Sequence, residues 1–224
     1  MPPQAIFQEA PIQVLTLPYA RAAEVTDVLC DAFFDYPVMR SVLGRRRGYR
    51  GRLETLVGFF VANRVAKEEL LLGVPDDSGA LVAAALVNLP VIREPPPWLA
   101  WRREEVWADL GAEERARYEA FGRATAQFER EDPHHHLGMI GVLHSHHGKG
   151  LGRLLLEQVH AVAAADPGSS GVSLSTEVAR NVKLYEHFDY RVAGHTRISP
   201  DLETWVMFRD RNAGGKGRAS ERAV

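Results

Sequence analysis

The sequence predicts a mixed α/β (α+β) domain in which helices flank one sheet. Strand-like runs alternate with amphipathic helices, and a hairpin pattern lies near each end of that alternation. A third observation is "GVLHSHHGKGLGRLLLEQV" at residues 141–159, where a buried strand passes through a glycine- and histidine-rich loop into a leucine-rich helix. A chain of 224 residues suits one domain, and we expect that domain to cover residues 1–210.

The N-terminal half contains predicted elements of both kinds. A strand is predicted over residues 12–17, and a helix closed by Pro37 follows it. A second amphipathic helix covers residues 52–68. Strand-like runs at residues 70–74 and 80–90 flank "PDDSG", whose turn-forming residues predict a hairpin.

Residues 91–133 are predicted to be a helical insertion. Three prolines in "REPPPWLAW" interrupt the pattern, and residues 98–130 then combine helical spacing with high charge. Two interpretations are open. The insertion is either a solvated helical connection or a lid or wall for a substrate, since long insertions in compact domains are often functional.

The C-terminal half has the clearest alternation. The predicted strands are residues 136–142, 171–176, 191–198 and 204–210, and the predicted helices are residues 151–165 and 181–188. Residues 211–224 are polar and rich in glycine, which predicts a disordered tail.

Composition and charge limit the classes of partner. The net charge of -2 gives no general attraction to nucleic acid or to an anionic membrane, and no run approaches the length of a membrane span. The N-terminus lacks the pattern of a signal peptide. The single cysteine, Cys30, excludes an intrachain disulfide, suits a reducing cytoplasm, and lies on the apolar face of a predicted helix, which indicates a core residue. We therefore expect a cytoplasmic protein that binds neither nucleic acid nor membrane.

The glycine-rich loop has the properties of an anion site. Amides at a helix N-terminus point outward without partners, and the helix dipole adds positive potential there. Gly148, Gly150 and Gly152 allow the backbone to curl closely around an anion, and Lys149 and Arg153 add positive charge.

Familiar alternatives for this loop fail on spacing. A P-loop requires glycine where Leu143 stands, and a dinucleotide fingerprint requires a small residue where Leu155 or Arg153 stands. The histidine clusters at residues 134–136 and 144–147 contain no acidic residue or cysteine to complete a ligand set, so we expect no metal. A turn without any ligand remains an open interpretation of the loop taken alone.

Two motifs together resemble the GNAT superfamily of N-acetyltransferases. "HGKGLG" at residues 147–152 resembles the family's acyl-CoA loop, with His147 where glutamine or arginine is usual. "LSTEVARNVKLYEHFDY" resembles the family's asparagine and tyrosine segment, particularly in its small-molecule branch. Asn181 and Tyr185 fit that segment, whereas Asp189 and Tyr190 stand where Gly-Phe is usual.

The resemblance implies a fold and an acyl donor. The implied sheet is mixed and mostly antiparallel, and its fourth and fifth strands splay apart around the thioester of acetyl-CoA. The pantetheine arm would pair with the backbone of the fourth strand, and the pyrophosphate would lie on the amides of the loop. The residues implied in acetyl-CoA binding are Ile140, Gly141, Val142, His147, Gly148, Lys149, Gly150, Leu151, Gly152, Arg153 and Asn181.

The resemblance also implies a reaction, the direct acetylation of the primary amine of a small molecule through a tetrahedral intermediate. The backbone N–H near Val142 would stabilise the oxyanion, and Tyr185 would protonate the leaving thiolate, because phenol and thiol pKa values of about 10 and 8.5 are close. His136 takes the position of the family's usual glutamate and is the candidate general base, although a histidine that only lines the cleft is the alternative. Glu177 and Asp189 are expected to be solvated charges.

Two further expectations concern function and partners. The expected partner is a small-molecule amine, and a second copy of the chain is a further candidate partner. The alternative function is a catalytically degenerate acyl-CoA-binding sensor or interaction module, which the substituted His147 and the missing Gly-Phe pair motivate.

Overall fold

A computed structural model describes residues 12–44, 46–91 and 93–214. Seven strands form one sheet in the order β1-β2-β3-β4-β5-β7-β6. Those strands are β1 (Leu15–Thr16), β2 (Leu70–Pro75), β3 (Leu81–Asn88), β4 (His135–Val142), β5 (Gly171–Thr176), β6 (Arg191–Ser199) and β7 (Leu202–Asp210).

Helices cover both faces of this sheet. They are α1 (Ala22–Ala32), α2 (Pro37–Leu43), α3 (Tyr49–Ala66), α4 (Pro97–Leu110), α5 (Ala112–Ala126), α6 (Leu151–Ala165) and α7 (Ala179–Glu186). Short 3₁₀ turns precede α1 and lie in the loop after β4. The predicted mixed α/β fold is confirmed, and α6 and β5 have the predicted bounds.

The fourth and fifth strands form the one parallel pair in the described sheet, and they separate early. Residues 135–137 of β4 pair with residues 172–174 of β5, and no pairing follows beyond Leu137 and Leu174. β3 and β7 continue the sheet in antiparallel pairing on the outer sides of the two strands. A gap therefore opens between β4 and β5 from Gly138 onward, which confirms the predicted splay.

A β-bulge in β4 coincides with the start of this gap. Leu86 pairs with Met139 and Val87 pairs with Leu137, so Gly138 has no partner on β3. A bulge bends its strand and changes the direction in which the following side chains point. Here it turns β4 away from β5 and directs Met139 into a different core from Leu137.

Two hydrophobic cores lie on opposite faces of the sheet. One core joins helices α1 to α4 to the sheet, and it contains the fully buried Leu53, Leu71 and Leu86. The other core joins α6 to the sheet and contains Leu155 and Leu174. The gap between β4 and β5 is thus accessible from two sides that different helices cover.

Several predicted boundaries differ from the structure. The first helix ends at Ala32, and Pro37 begins α2 rather than closing α1, because proline suits the first turn of a helix, where its missing N–H is not needed. The predicted helical stretch at residues 98–130 is two helices, separated at Gly111, whose φ of 111° an L side chain rarely adopts. Of the predicted tail, residues 211–214 form a turn and residues 215–224 lie outside the described part.

Candidate active site

The open edge of β4 presents backbone groups to the gap. The amide of Leu143 donates to the carbonyl of Val82 on β3 at 2.9 Å. Because successive residues of a strand direct their N–H and C=O groups to opposite sides, the corresponding groups of Val142 and Ile140 point away from β3. The strand that would accept them, β5, has already diverged, so this edge can pair with an extended ligand.

A groove of about 550 Å³ runs along this edge on the α6 face of the sheet. It ends beside the glycine-rich loop at the start of α6. The residues that line it are Ile140, Gly141, Val142, Gly152, Arg153, Leu156, Asn181, Leu184, Tyr185, His187 and Phe188. We call it the donor groove.

The loop before α6 has the backbone expected of an anion site. Gly148 and Gly150 have φ angles of 78° and 75°, and Gly150 caps the helix. The first backbone bond into α6 runs from Leu154 N–H to the Gly150 carbonyl at 3.1 Å. Within the described residues, the amides of residues 148–153 make no backbone hydrogen bond and remain available to an anion.

Side chains of the loop hold it in place. Asp31 of α1 contacts His144 twice, because Asp31 Oδ2 lies 2.8 Å from both the backbone nitrogen and the Nδ1 of His144. His147 Nε2 lies 3.1 Å from the Val142 carbonyl and can donate to it. The imidazole thus contacts the backbone carbonyl with which, by the family resemblance, the pantetheine arm would pair. An arm that binds there must displace the imidazole.

The predicted basic residues of the loop differ in their surroundings. Lys149 and Arg153 are both exposed, and Arg153 Nε pairs with Glu157 at 2.8 Å. Leu151 is buried in the core beneath α6, so only its backbone amide faces the groove side. In the described ranges, no three histidine, cysteine or acidic side chains lie together in an arrangement that could hold a metal ion.

A second cavity, of about 280 Å³, lies on the face that α1 to α3 cover. Ile140, Asn181 and Tyr185 line both this cavity and the donor groove, so the two spaces meet in the gap between β4 and β5. Its walls are mainly apolar and aromatic: Phe33, Tyr36, Val38, Met39, Val42, Leu56, Phe59, Phe60, Tyr118, Phe121, Leu137, Met139 and Leu174. We call it the acceptor cavity.

The inserted helices contribute to the acceptor cavity. Tyr118 and Phe121 of α5 form part of its wall, and Tyr118 stacks on Phe60 of α3 with ring centroids 5.8 Å apart. Residues of α5 thus form part of a cavity wall, and the interpretation of residues 91–133 as a lid or wall for a substrate stays a prediction. α4 contributes Val106 and Trp107 to the core beside α3.

Tyr185 lies where the two spaces meet. It is buried on α7, and burial together with the nearby Glu177 carboxyl raises the pKa of its phenol to about 12. Its hydroxyl therefore keeps its proton across the neutral range. Its role as the general acid stays a prediction.

Glu177 lines the site, contrary to the expectation from the sequence. It follows β5, lines the acceptor cavity and is half-buried, so it is not the solvated charge that we expected. Thr204 Oγ1 donates to Glu177 Oε1 at 2.8 Å. Burial raises the pKa of the carboxyl to about 7, partly offset by this hydrogen bond. The sequence contains no local signal for this, because Thr204 is 27 residues away and the burial comes from other elements.

A hydrogen-bond network fixes the segment between β5 and α7. Tyr36 Oη lies 3.1 Å from Thr176 Oγ1 and accepts a hydrogen bond from the Glu177 amide at 3.3 Å. Asn181 Nδ2 donates to the same Thr176 oxygen at 3.4 Å. Tyr36 comes from the turn before α2, about 140 positions earlier in the chain, and it aligns the backbone that carries Glu177.

His136 lines the acceptor cavity on β4, as expected, but its chemistry differs from the expectation. Its Nδ1 lies 2.8 Å from Ser173 Oγ, and burial, with Arg64 and His134 nearby, lowers the pKa of the imidazole to about 4. The imidazole is neutral at neutral pH but a weak base.

The remaining histidines and the cysteine are structural or exposed. His135 is buried, and its Nδ1 lies 2.9 Å from Ser169 Oγ. Cys30 is fully buried in the core, and burial raises the pKa of its thiol to about 12. A thiol in that state is a poor nucleophile, which agrees with the interpretation of Cys30 as a core residue.

Comparison with known proteins agrees with this geometry. A model of the acetyltransferase (GNAT) domain matches residues 103–192, which include α5, β4, the loop, α6, β5 and α7. A Corynebacterium glutamicum structure, described as histone acetyltransferase HPA2 and related acetyltransferase, is similar over 89% of this chain and 96% of its own, with 22% identity and a TM-score of 0.65.

Two insect enzymes have the same fold. Arylalkylamine N-acetyltransferase 2 from Aedes aegypti is 16% identical, with a TM-score of 0.57 over 91% of this chain and all of its own. A polyamine N-acetyltransferase from Drosophila melanogaster is 16% identical, with a TM-score of 0.55 over 88% of this chain and 98% of its own.

Residues 103–192 are thus similar to the acetyltransferase (GNAT) domain, and the splayed sheet and the loop before α6 agree with that likeness. None of the described helices is both long and apolar enough to cross a membrane.

Proposed function

We propose that the protein is an N-acetyltransferase that moves the acetyl group of acetyl-CoA to the primary amine of a small molecule. The observation that supports it most is the junction of the two spaces at Ile140, Asn181 and Tyr185. A donor held along β4 and an acceptor in the aromatic cavity would meet there, through a gap that a fully paired sheet would close.

The donor groove suits acetyl-CoA. The backbone edge at Ile140 and Val142 matches an extended pantetheine arm once His147 leaves the Val142 carbonyl, and the amides at residues 148–153, which make no backbone hydrogen bond in the described structure, match a pyrophosphate. Asn181 is half-buried on the groove wall and can contact the arm. These features are built mostly from backbone, so the substituted His147 does not remove them.

The proton transfers can be assigned to residues at the junction and beside it, in the two spaces that meet there. Glu177 takes a proton from the incoming ammonium group, because a carboxylate with a pKa of about 7 is well matched to a general base near neutral pH. The Val142 N–H donates to the developing oxyanion, and Tyr185 gives its proton to the departing thiolate. His136 is a weaker candidate for the base, since its pKa of about 4 leaves little affinity for a proton.

An assay of thiol release tests the proposal. The purified protein is incubated with acetyl-CoA and a panel of aromatic amines, polyamines and amino acids, while acetyl-CoA binding is measured separately by calorimetry. Release that depends on an amine, with an acetylated product detected by mass spectrometry, is the expected result. Tight binding without turnover on any amine would instead favour a sensor.

A further inference from the structure

One charged side chain in the acceptor cavity is left without a role by the proposed reaction. Arg64 of α3 lines the cavity, and its side chain is only 13% exposed. Its Nε lies 3.2 Å from Glu69 Oε2. Asn88 Nδ2 donates to the same carboxylate and lies 2.9 and 3.0 Å from its two oxygens. The ion pair thus lies at one edge of the guanidinium, without a hydrogen bond from Nε.

The other edge of the guanidinium faces the gap. A methyl group at the bulged Gly138 would come within 2.6 Å of Arg64 Nη2, so this nitrogen lies directly over the point where β4 leaves β5. Within the described residues, the Arg64 side chain makes no hydrogen bond, and its Nε is buried without a hydrogen-bond partner although it lies 3.2 Å from Glu69 Oε2. A largely buried guanidinium with unused donors is costly, and a planar carboxylate satisfies two of them at once.

The position of Arg64 limits the size of the acceptor. Gly138 and Ile140 are two residues apart on β4, which corresponds to about 7 Å along the strand. An acceptor whose amine lies at the junction, near Ile140, can therefore reach Arg64 only with an anionic group a few bonds from its nitrogen. Free amino acids have this geometry, whereas long polyamines do not have the anion.

The remaining walls indicate the kind of side chain. Phe60, Tyr118 and Phe121 surround the part of the cavity near Arg64, and the Oδ1 of the neighbouring Asn63 is buried without a hydrogen-bond partner in the described structure. Apolar walls with a few fixed polar groups are typical of sites that orient a small apolar ligand.

We propose that Arg64 binds the carboxylate of the acceptor, and that the acceptor is a free amino acid with an aromatic or apolar side chain. This inference rests on the proposed acetyltransferase function. Gly138 contributes to this carboxylate site as well, because the absence of a side chain at residue 138 leaves room for the Arg64 guanidinium beside the junction.

Matched pairs of acceptors test the inference. Phenylalanine is compared with phenethylamine, tryptophan with tryptamine, and leucine with isoamylamine, at the same pH. The wild-type protein should prefer each amino acid in kcat/KM by about 10- to 100-fold, the range expected for a charge-assisted bidentate contact. Equal values within all three pairs would overturn the inference, while leaving the acetyltransferase function intact.

Variants identify the residue responsible. Arg64→Met alone would leave Glu69 buried without its partner, so it is made together with Glu69→Gln and compared with Glu69→Gln alone. The amino-acid preference should fall to about 1 in the double variant, through a higher KM. The Glu69→Gln protein should retain the preference, and acetyl-CoA affinity should be the same in both. An unchanged preference in the double variant contradicts the assignment.

A second variant keeps the charge and moves it. Gly138→Ala should displace Arg64 Nη2 and reduce the amino-acid preference without deleting a cation. If no amine is acetylated at all, the proposed function fails. Calorimetric binding of phenylalanine and phenethylamine then tests separately whether Arg64 binds a carboxylate. Binding of phenylalanine that is lost in the double variant would support the carboxylate site, and phenethylamine that binds as tightly as phenylalanine would refute it.

Discussion

The donor groove and the acceptor cavity meet at the same gap but are built differently. One wall of the donor groove comes from two short stretches, residues 140–142 and 152–156, and the other wall comes from α7 and the residues that follow it. Two of its lining residues, Gly141 and Gly152, have no side chain, so backbone forms part of its surface. The acceptor cavity combines α1, α2, α3, α5, β4 and the segment after β5, and its surface is made of side chains. Donor binding should therefore depend on backbone geometry, and acceptor chemistry on individual side chains.

The largest effect is expected from the donor loop. Gly150→Glu places a negative charge at the pyrophosphate position and a side chain at a φ of 75°, so acetyl-CoA affinity should fall by about 10³-fold or more. Calorimetric titration measures this. Gly150→Asn is the matched control, because asparagine tolerates this conformation and adds no charge, and it should retain most of the affinity. A folded Gly150→Glu protein with wild-type affinity would exclude the loop as the phosphate site.

A smaller effect, confined to the chemical step, is expected at the junction. Tyr185→Phe removes the hydroxyl that we assign to thiolate protonation, so kcat should fall by about 10²-fold while acetyl-CoA affinity changes little. Steady-state kinetics and calorimetry on one preparation separate the two quantities. Turnover at the wild-type rate would reduce Tyr185 to a packing residue.

The two candidate bases differ in their expected pH dependence. If Glu177 accepts the proton, its carboxylate form is active, so kcat/KM should rise with pH through about 7 and decline as pH falls below it. Glu177→Gln should remove that limb and lower kcat/KM at pH 7.5 by about 30-fold. This is below the usual contribution of a general base, about 10²- to 10⁴-fold, because the proton can also leave to water. His136→Ala should keep the limb and cost less than about threefold, under 1 kcal/mol of barrier. The reverse pattern would restore His136 as the base.

The smallest effect concerns stability rather than activity. The pKa of Glu177 is raised from 4.5 to about 7, so the folded state binds this proton more tightly than the unfolded state. Stability is lost as pH rises from 4.5 to 7, because the carboxylate must then be buried as an anion. Glu177→Gln removes this cost, and its Tm should exceed that of the wild type by about 3 °C at pH 8 and by less at pH 5. Thermal unfolding monitored by circular dichroism at both pH values provides the measurement, and equal shifts would argue against a raised pKa.

The contrast between the two spaces also explains what could be predicted. The strand, loop and helix around residues 136–165 follow local rules of apolar periodicity, glycine conformation and helix start, so the sequence predicted the bounds of these elements closely. Pro37 misled the prediction, since the same residue can follow a helix or begin one, and only the packing of α2 beside α5 and α3 distinguishes the two.

The pKa values of the site residues could not be predicted from local sequence patterns. Glu177 looks like an ordinary surface charge in sequence, and His136 looks like an ordinary imidazole. Their pKa values of about 7 and about 4 arise from burial by elements far away in the chain and from neighbours such as Arg64. No motif encodes such a desolvation, because it depends on which side chains the fold brings together.

The sequence by itself predicted the α/β fold, the glycine loop and the helical segment that carries Asn181 and Tyr185, because short-range patterns determine backbone geometry. Only the tertiary structure decided that Gly138 bulges β4 away from β5, that Tyr36 from the turn before α2 holds the segment of Glu177, and that the inserted α5 walls the acceptor cavity. These features depend on long-range pairing and burial, whose energies come from contacts between residues up to about 140 positions apart.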